Sequence, residues 1–138
     1  MTGNPQILAN LIRTRAATEP DHDVLTFVDV AADGRFVEEI RTYAQLWQNG
    51  QRIAAALQAL GMQAGDTFAM MMDNHPEFVD LMVASSILGT IFVPIDPRTR
   101  GDKLGYMLDF AECKGAVVAD GALDEVRNAW GGRPDRWI

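Results

Sequence analysis

Cysteine and histidine are scarce in this chain, and their scarcity removes two classes of site. Cys113 is the only cysteine among 138 residues, so no internal disulfide can form. A reducing compartment is therefore favoured, and the expected location is cytoplasmic. His22 and His75 are the only histidines, and their spacing does not match that of zinc ligands. The sequence predicts neither a disulfide framework nor a metal centre.

Positive charge and long apolar runs are also in short supply. The chain has 12 Lys and Arg residues against 19 Asp and Glu residues, a formal net charge of −7. A nucleic-acid surface requires a basic face, so nucleic acid is not an expected partner. No apolar run has the length of a membrane-spanning helix, and the N-terminal stretch lacks the apolar core of a signal peptide.

Glycine-rich phosphate loops are missing as well. Neither G-x-G-x-x-G nor G-x-x-x-x-G-K-[ST] occurs, and the glycines are spread along the chain as turn and helix-end residues. A flavodoxin-like α/β domain is one possible interpretation of the chain. The absence of a phosphate loop after the first parallel strand disfavours it.

The stretch from 66 to 96 is the part around which the rest is organised. An apolar strand is predicted at 67–72, a helix from Pro76 to a stop at Gly89, and a second apolar strand at 91–95. The helix is apolar nearly all round, which is typical of a buried helix. Two buried strands joined by a helix form a right-handed crossover in a parallel sheet. We therefore expect this unit to form the middle of the core.

Flanking segments complete an α/β fold class, with a parallel-type sheet, flanking helices and an N-terminal β-hairpin. Asn4-Pro5 is expected to start a short helix that ends before Pro20, with Ile7, Leu8, Leu11 and Ile12 on its apolar stripe. Runs 24–30 and 35–41 flank Asp33-Gly34, which predicts a hairpin whose second strand is half exposed.

The remaining elements are set by capping and turn signals. The pattern Thr42-x-x-Gln45 predicts a capping box and a helix to about Leu60, with Leu46, Ile53, Leu57 and Leu60 on one stripe. Further elements are a helix at 102–111, a strand at 115–119, a helix at 122–130 and the start of a strand at 135–138. A sheet that stopped there would have an unpaired apolar edge.

Candidate site residues are few. Arg98 and Arg100 lie on the loop after a predicted strand, where ligands of open α/β sheets bind, and arginine suits phosphate. A solvated loop is the competing interpretation. His75 is expected to belong to a helix start, and Cys113 to be a small core residue. No catalytic constellation is evident.

The order of these signals resembles the N-terminal part of the adenylate-forming, or AMP-binding, enzymes. These include acyl-CoA synthetases, luciferases and peptide-synthetase adenylation domains. Within the family, the sequence most resembles the acyl-CoA or carnitine-type CoA ligases. The segments that carry the resemblance are 42–46 (TYAQL), 54–62 (AAALQALGM), 64–68 (AGDTF), 72–78 (MDNHPEF), 89–94 (GTIFVP), 96–97 (DP), 103–108 (KLGYML) and 116–118 (AVV).

The resemblance implies a two-step reaction that uses ATP, Mg²⁺ and CoA in the full-length enzyme. It also implies that Asp96, Pro97 and Arg98 correspond to a loop near the CoA route in some relatives. The family's Gly-rich phosphate loop ending in lysine, its adenine- and ribose-binding residues and its C-terminal catalytic lysine are absent here. No catalytic residue is therefore carried over, and no cofactor is expected to bind the chain alone.

Two hypotheses of different class follow. In the first, residues 1–138 are a single, incomplete N-terminal subdomain of an acyl-CoA synthetase, which needs the remainder of its AMP-binding domain as a partner and is inactive alone. In the second, the chain is a standalone, non-catalytic binding module that forms a homo-oligomer through its exposed sheet edge.

Overall fold

The computed structural model describes residue 4 and residues 6–138. The elements are, in chain order, α1 (Leu8–Thr18), β1 (Asp23–Val30), β2 (Phe36–Thr42), α2 (Tyr43–Ala59), β3 (Thr67–Met71), α3 (Pro76–Leu88), β4 (Ile91–Pro94), α4 (Gly101–Phe110), β5 (Ala116–Val118) and α5 (Leu123–Trp130), with a short 3₁₀ turn at Asp120–Ala122 before α5. The predicted α/β class is confirmed, with a parallel three-stranded sheet and an antiparallel hairpin.

The described residues form two compact units. The first contains the chain up to Ala55 together with His75–Ile87, and the second contains Ala56–Asn74 and Leu88–Ile138. Helix α3 therefore groups with the hairpin rather than with β3 and β4, the two strands that it connects. The prediction that strand, helix and strand share the middle of one core is wrong on this point, because the apolar all-round helix packs within the first unit.

In the first unit, the hairpin and three helical segments surround a small apolar core. Ile12, Leu46 and Val83 are its buried members, and residues such as Leu25 and Ile87 pack against them. Gly50 in α2 allows close approach of α3, because a Cβ there would lie 2.6 Å from a methyl of Val83. The apolar side chains thus join α1, α2, α3 and the hairpin.

The hairpin and the capping box form as predicted. The turn N–H of Gly34, which has a left-handed φ of 81°, donates to the carbonyl of Ala31 at 2.8 Å. The Thr42 hydroxyl accepts from the Gln45 N–H at 3.3 Å, and the Gln45 side chain accepts from the Thr42 N–H at 2.9 Å. The reciprocal pair satisfies two donors at the start of α2.

Three details differ from the predictions, and one prediction is not tested. Leu11 and Leu60 are exposed rather than part of buried stripes, since Leu11 lies on the outer side of α1 and Leu60 follows the end of α2. Strand β2 is exposed from Phe36 to Ile40 rather than half exposed. The proposed first-turn role of Pro5 lies outside the described residues.

In the second unit, β3 is the central strand of the sheet, with β4 and β5 parallel on either side. Its residues from Phe68 to Met71 are fully buried, which accounts for the run of methionines. Leu104 and Leu108 of α4, Val126 and Trp130 of α5 complete the core. Pro94 lies at the end of edge strand β4, where a missing N–H is tolerated.

The last residues begin a further strand. The N–H of Ala116 donates to the carbonyl of Trp137 at 3.0 Å, and Gly115 and Trp137 form an isolated parallel bridge. The indole of Trp137 lies directly against Gly115, where a Cβ would be 1.9 Å from the ring. No helix in the described part of the chain combines the length and the apolar character needed to cross a membrane.

Candidate functional site

The carboxyl ends of β3, β4 and β5 lie at one edge of the sheet, because all three strands are parallel. Each strand is followed within two residues by an aspartate, namely Asp73, Asp96 and Asp120. This edge is where open α/β sheets bind their ligands. The segment 96–100 after β4 is the part that also carries arginine.

Asp96 and Arg98 form a closed ion pair within this loop. The Asp96 carboxylate accepts from Nε of Arg98 at 3.0 Å and from Nη2 at 2.7 Å, and it also accepts from the Arg98 backbone N–H at 2.9 Å. These hydrogen bonds hold the pKa of Asp96 well below its ordinary value, and they raise the pKa of Arg98. The backbone of Thr99 donates to the Asp96 carbonyl at 2.9 Å, so Pro97 lies inside a tight turn.

Arg98 nevertheless remains open to solvent. Its side chain is 89% exposed, and its Nη1 group has no partner among the described residues. An anionic group could therefore share this guanidinium with Asp96, since arginine offers five donors in a planar fork.

Arg100, in contrast, has several partners within the protein. Its Nη1 group donates to the backbone carbonyls of Pro97 and Thr99, and its Nε lies 3.4 Å from a carboxylate oxygen of Glu125. Asp96, Pro97 and Arg98 are thus brought together in one turn, while Arg100 mainly stabilises that turn. Whether the turn contacts CoA stays a prediction.

The other singled-out residues have structural surroundings. His75 is exposed and its carbonyl accepts from the Phe78 N–H at 3.0 Å, at the start of α3 as predicted. Burial raises the pKa of the Cys113 thiol to about 11, which keeps it protonated, and the residue lies in the core of the second unit. His22 stacks on Tyr43 with ring centroids 5.7 Å apart.

A buried polar cluster in the first unit was not found from the sequence. The side chain of Asp80 on α3 is 3% exposed and accepts from the amide of Asn49 on α2 at 3.1 Å. Arg41, 13% exposed, places Nε 3.5 Å from Asp80 and Nη1 2.5 Å from Glu39. The signal available in the sequence was the carboxylate of Asp80, which lies among apolar residues beyond the first residues of α3.

Burial and charge oppose one another in this cluster. Burial raises the pKa of Asp80, against the hydrogen bond from Asn49 and the positive charge of Arg41, and the net direction is upward. For Arg41, burial lowers the pKa but the carboxylates of Glu39 and Asp80 outweigh it, so the net direction is also upward. The cluster connects β2, α2 and α3, and its geometry is that of a structural ion pair rather than of a catalytic group.

No group of three or more His, Cys, Asp or Glu side chains is placed to hold a metal ion within the described residues.

Comparison with known proteins then gives the family. The family model described as AMP-binding enzyme matches residues 12–136. The chain belongs to the AMP-binding enzyme family. The resemblance to the N-terminal portion of acyl-CoA synthetase-like enzymes is thereby confirmed.

Individual relatives support the same family. A long-chain-fatty-acid–CoA ligase of Mycobacterium tuberculosis is 33% identical over 112 residues, which is 81% of this chain and 20% of the relative. A 4-coumarate–CoA ligase of Humulus lupulus is 30% identical over 94 residues, 68% of this chain and 17% of the relative. A solved Mycobacterium tuberculosis fatty acyl CoA synthetase is 26% identical with a TM-score of 0.74, and the match covers 94% of this chain and 26% of that chain.

The chain spans about a fifth of the length of these curated relatives. The match establishes the family and its fold for this part of the chain.

Proposed function

We propose that this chain is the N-terminal part of an ATP-dependent acyl-CoA ligase and that it is not catalytically competent alone. The observation that supports this most strongly is the family match over residues 12–136 at only about a fifth of the relatives' length. The chain then provides scaffold, and the remainder of the AMP-binding domain is its partner.

The proposed reaction has two steps. A carboxylate of the acid attacks the α-phosphate of ATP, the bond to the leaving pyrophosphate breaks, and an acyl-adenylate forms. The thiol of CoA then attacks the acyl carbon, giving the thioester and AMP. Catalysis of such steps depends on positioning and on neutralising phosphate charge. In the full-length enzyme Mg²⁺ supplies part of that neutralisation.

Within this proposal, the turn at Asp96-Pro97-Arg98 contributes to the CoA route. The exposed guanidinium of Arg98 would bind a phosphate oxygen there, with Asp96 holding it in orientation. The three residues are positioning groups and not catalytic ones.

The coding DNA downstream of the Ile138 codon provides the first test. We expect the reading frame to continue into a Gly-rich phosphate loop ending in lysine, within roughly 50 codons. A stop codon directly after Ile138 would overturn the fragment proposal.

The purified chain provides the second test, by carboxylate-dependent exchange between ATP and pyrophosphate. No exchange above the protein-free background is expected. Robust exchange that survives repurification would show that the chain is catalytically complete, which contradicts the proposal.

The alternative function, self-association as a binding module, is favoured by one observation. A groove of about 340 Å³ runs beside β5 and is lined by Val117, Val118, Leu123, Trp137 and Ile138, among others. If this edge pairs two copies, light scattering should show a dimer that Val118→Lys dissociates. A monomer at all concentrations tested would remove this alternative.

A further inference from the structure

One face of the β1–β2 hairpin packs into the first unit, and the other is open to solvent. Residues directly opposite one another in an antiparallel pair share a face, and faces alternate along each strand. The register pairs Val30 with Phe36, Val28 with Glu38 and Thr26 with Ile40, so these six residues form one face, here called the outer face. The opposite face contains Leu25 and Arg41, which pack into the first unit.

The outer face is apolar although it is open to solvent. Phe36 is 76% exposed, Val30 59%, Val28 57% and Ile40 41%. A half-buried antiparallel hairpin ordinarily alternates apolar residues inward with polar residues outward. Here both faces carry large apolar side chains, and contiguous exposed apolar residues of this kind mark interaction sites.

Charge on the hairpin indicates what such a partner carries. Between Asp23 and Thr42 there are five carboxylates and two arginines. Both arginines are already paired, Arg35 with Asp33 and Arg41 with Glu39 and Asp80. Glu38 is the one charged residue of the outer face, and it makes no ion pair among the described residues.

We propose that the outer face binds an extended polypeptide segment whose alternate residues, which share one face of the strand, are apolar with one lysine or arginine among them. The apolar side chains would cover Val28, Val30, Phe36 and Ile40, and one cation would pair with Glu38 at the centre of the face. This surface is distinct from the carboxyl edge of the sheet and does not depend on the proposed acyl-CoA ligase function.

Two short synthetic peptides test the proposal at physiological ionic strength. In both peptides the alternate residues that share one face of the extended chain are valine, except for a central lysine in one peptide and a central glutamate in the other. Backbone amide shifts in NMR titrations of the 138-residue chain report both the affinity and the location. We expect the lysine peptide to bind with shifts centred on 28–30 and 36–40, and the glutamate peptide to bind at least about tenfold more weakly, because like charges would meet at Glu38.

Matched variants separate a specific site from general attraction to an acidic protein. Glu38→Lys should reverse the preference between the two peptides. Asp124→Lys changes the net charge equally at a 90% exposed position on α5 and should leave the preference unchanged. Phe36→Ser should lower the affinity for the lysine peptide about tenfold. Phe110 is equally exposed, at 76%, and Phe110→Ser should leave this affinity unchanged.

Three results would overturn the proposal. Equal effects of Glu38→Lys and Asp124→Lys would show non-specific attraction. Shifts outside the hairpin would place the site elsewhere. Concentration-dependent dimerisation abolished by Phe36→Ser, without peptide binding, would identify a second copy as the occupant. If Phe36→Ser disturbs the hairpin, Val28→Thr, which keeps a β-branched side chain, replaces it in the same comparison.

Discussion

The two compact units differ in where they keep their charges. The first encloses an ion pair, since Asp80 and Arg41 are 3% and 13% exposed. In the second, the described ion pairs have at least one exposed member, as in Lys114–Asp66 at 50% and 16% exposure, and the core around β3 is apolar. The same chain therefore contains one core with charge in it and one without.

The difference teaches where each unit is vulnerable. A buried ion pair is costly to desolvate, and most of its importance appears when one partner is removed. An apolar core instead depends on volume and loses stability in proportion to the atoms deleted. The first unit should be sensitive to charge and pH, and the second to side-chain size.

Removal of Arg41 should have the largest effect. Arg41→Ala leaves the buried carboxylate of Asp80 without its cation, beside the like charge of Glu77, and should lower the free energy of unfolding by about 3–5 kcal/mol. Urea denaturation monitored by tryptophan fluorescence measures this loss. The double variant Arg41→Ala/Asp80→Asn should recover much of it, because the remaining side chain is neutral. An additive double variant would contradict the role given to the pair.

Shortening a buried apolar side chain in the second unit should lower the free energy of unfolding somewhat less than Arg41→Ala does. Leu104 is fully buried in the core of that unit, so Leu104→Ala should destabilise by about 3 kcal/mol through lost burial and a cavity. Leu60→Ala, at a 52% exposed leucine, should change stability by less than about 0.5 kcal/mol. Similar losses of stability in Leu104→Ala and Leu60→Ala would contradict the claim that the second unit depends on the volume of its buried side chains.

One substitution should stabilise the second unit. Glu112 lies two residues after the end of α4 and has a φ of 52°. Its N–H donates to the Asp109 carbonyl, and the N–H of Cys113 donates to the Leu108 carbonyl. This helix-end geometry favours glycine, so Glu112→Gly should add about 1 kcal/mol. Glu112→Ala keeps the Cβ and should give no such gain in thermal denaturation. A gain equal to that of glycine would exclude backbone strain as the cause.

The smallest effect expected is a change in pH dependence, because opposing influences leave only a net shift at Asp80. Its pKa is raised in the folded state, so folding binds a proton between the unfolded value, about 4, and the folded one. Stability from this group is full below pH about 4 and is lost as pH rises through the folded pKa.

The measurement is the stability difference between wild type and Asp80→Asn from pH 4 to pH 7. As pH rises, the free energy of unfolding of the wild type should fall relative to that of Asp80→Asn. The lowered pKa values of Asp33, Asp66 and Asp96 contribute equally to both proteins and cancel. A difference that is constant across this range would show that Asp80 has the same pKa in both states.

Local chemistry in the sequence predicted most elements of the fold. The capping box at Thr42 and Gln45, the turn at Gly34 and the helix stop at Gly89 each depend on neighbours within a few residues, and all three formed. The grouping of α3 with the hairpin depends on contacts between distant segments, which periodicity does not encode. The Arg41–Asp80 pair was missed for the same reason, because its members are far apart in sequence.

The candidate site could be predicted only in part. The position of Asp96 and Arg98 at the carboxyl end of β4 follows from strand order in any parallel sheet. Their mutual ion pair required side-chain geometry, since two residues two apart on a loop can equally point away from each other. The outer face of the hairpin was not predicted, because the pattern that identifies a strand does not show which of its faces other segments of the chain will cover.

The contact between Gly115 and Trp137 has a consequence for how these positions vary across homologous proteins. The indole occupies the volume that any side chain at 115 would need, with a Cβ only 1.9 Å from the ring. Neither position can then change independently: a homologue with a larger residue in place of Gly115 should have a smaller one in place of Trp137. The two positions, distant in sequence, are expected to covary across the family.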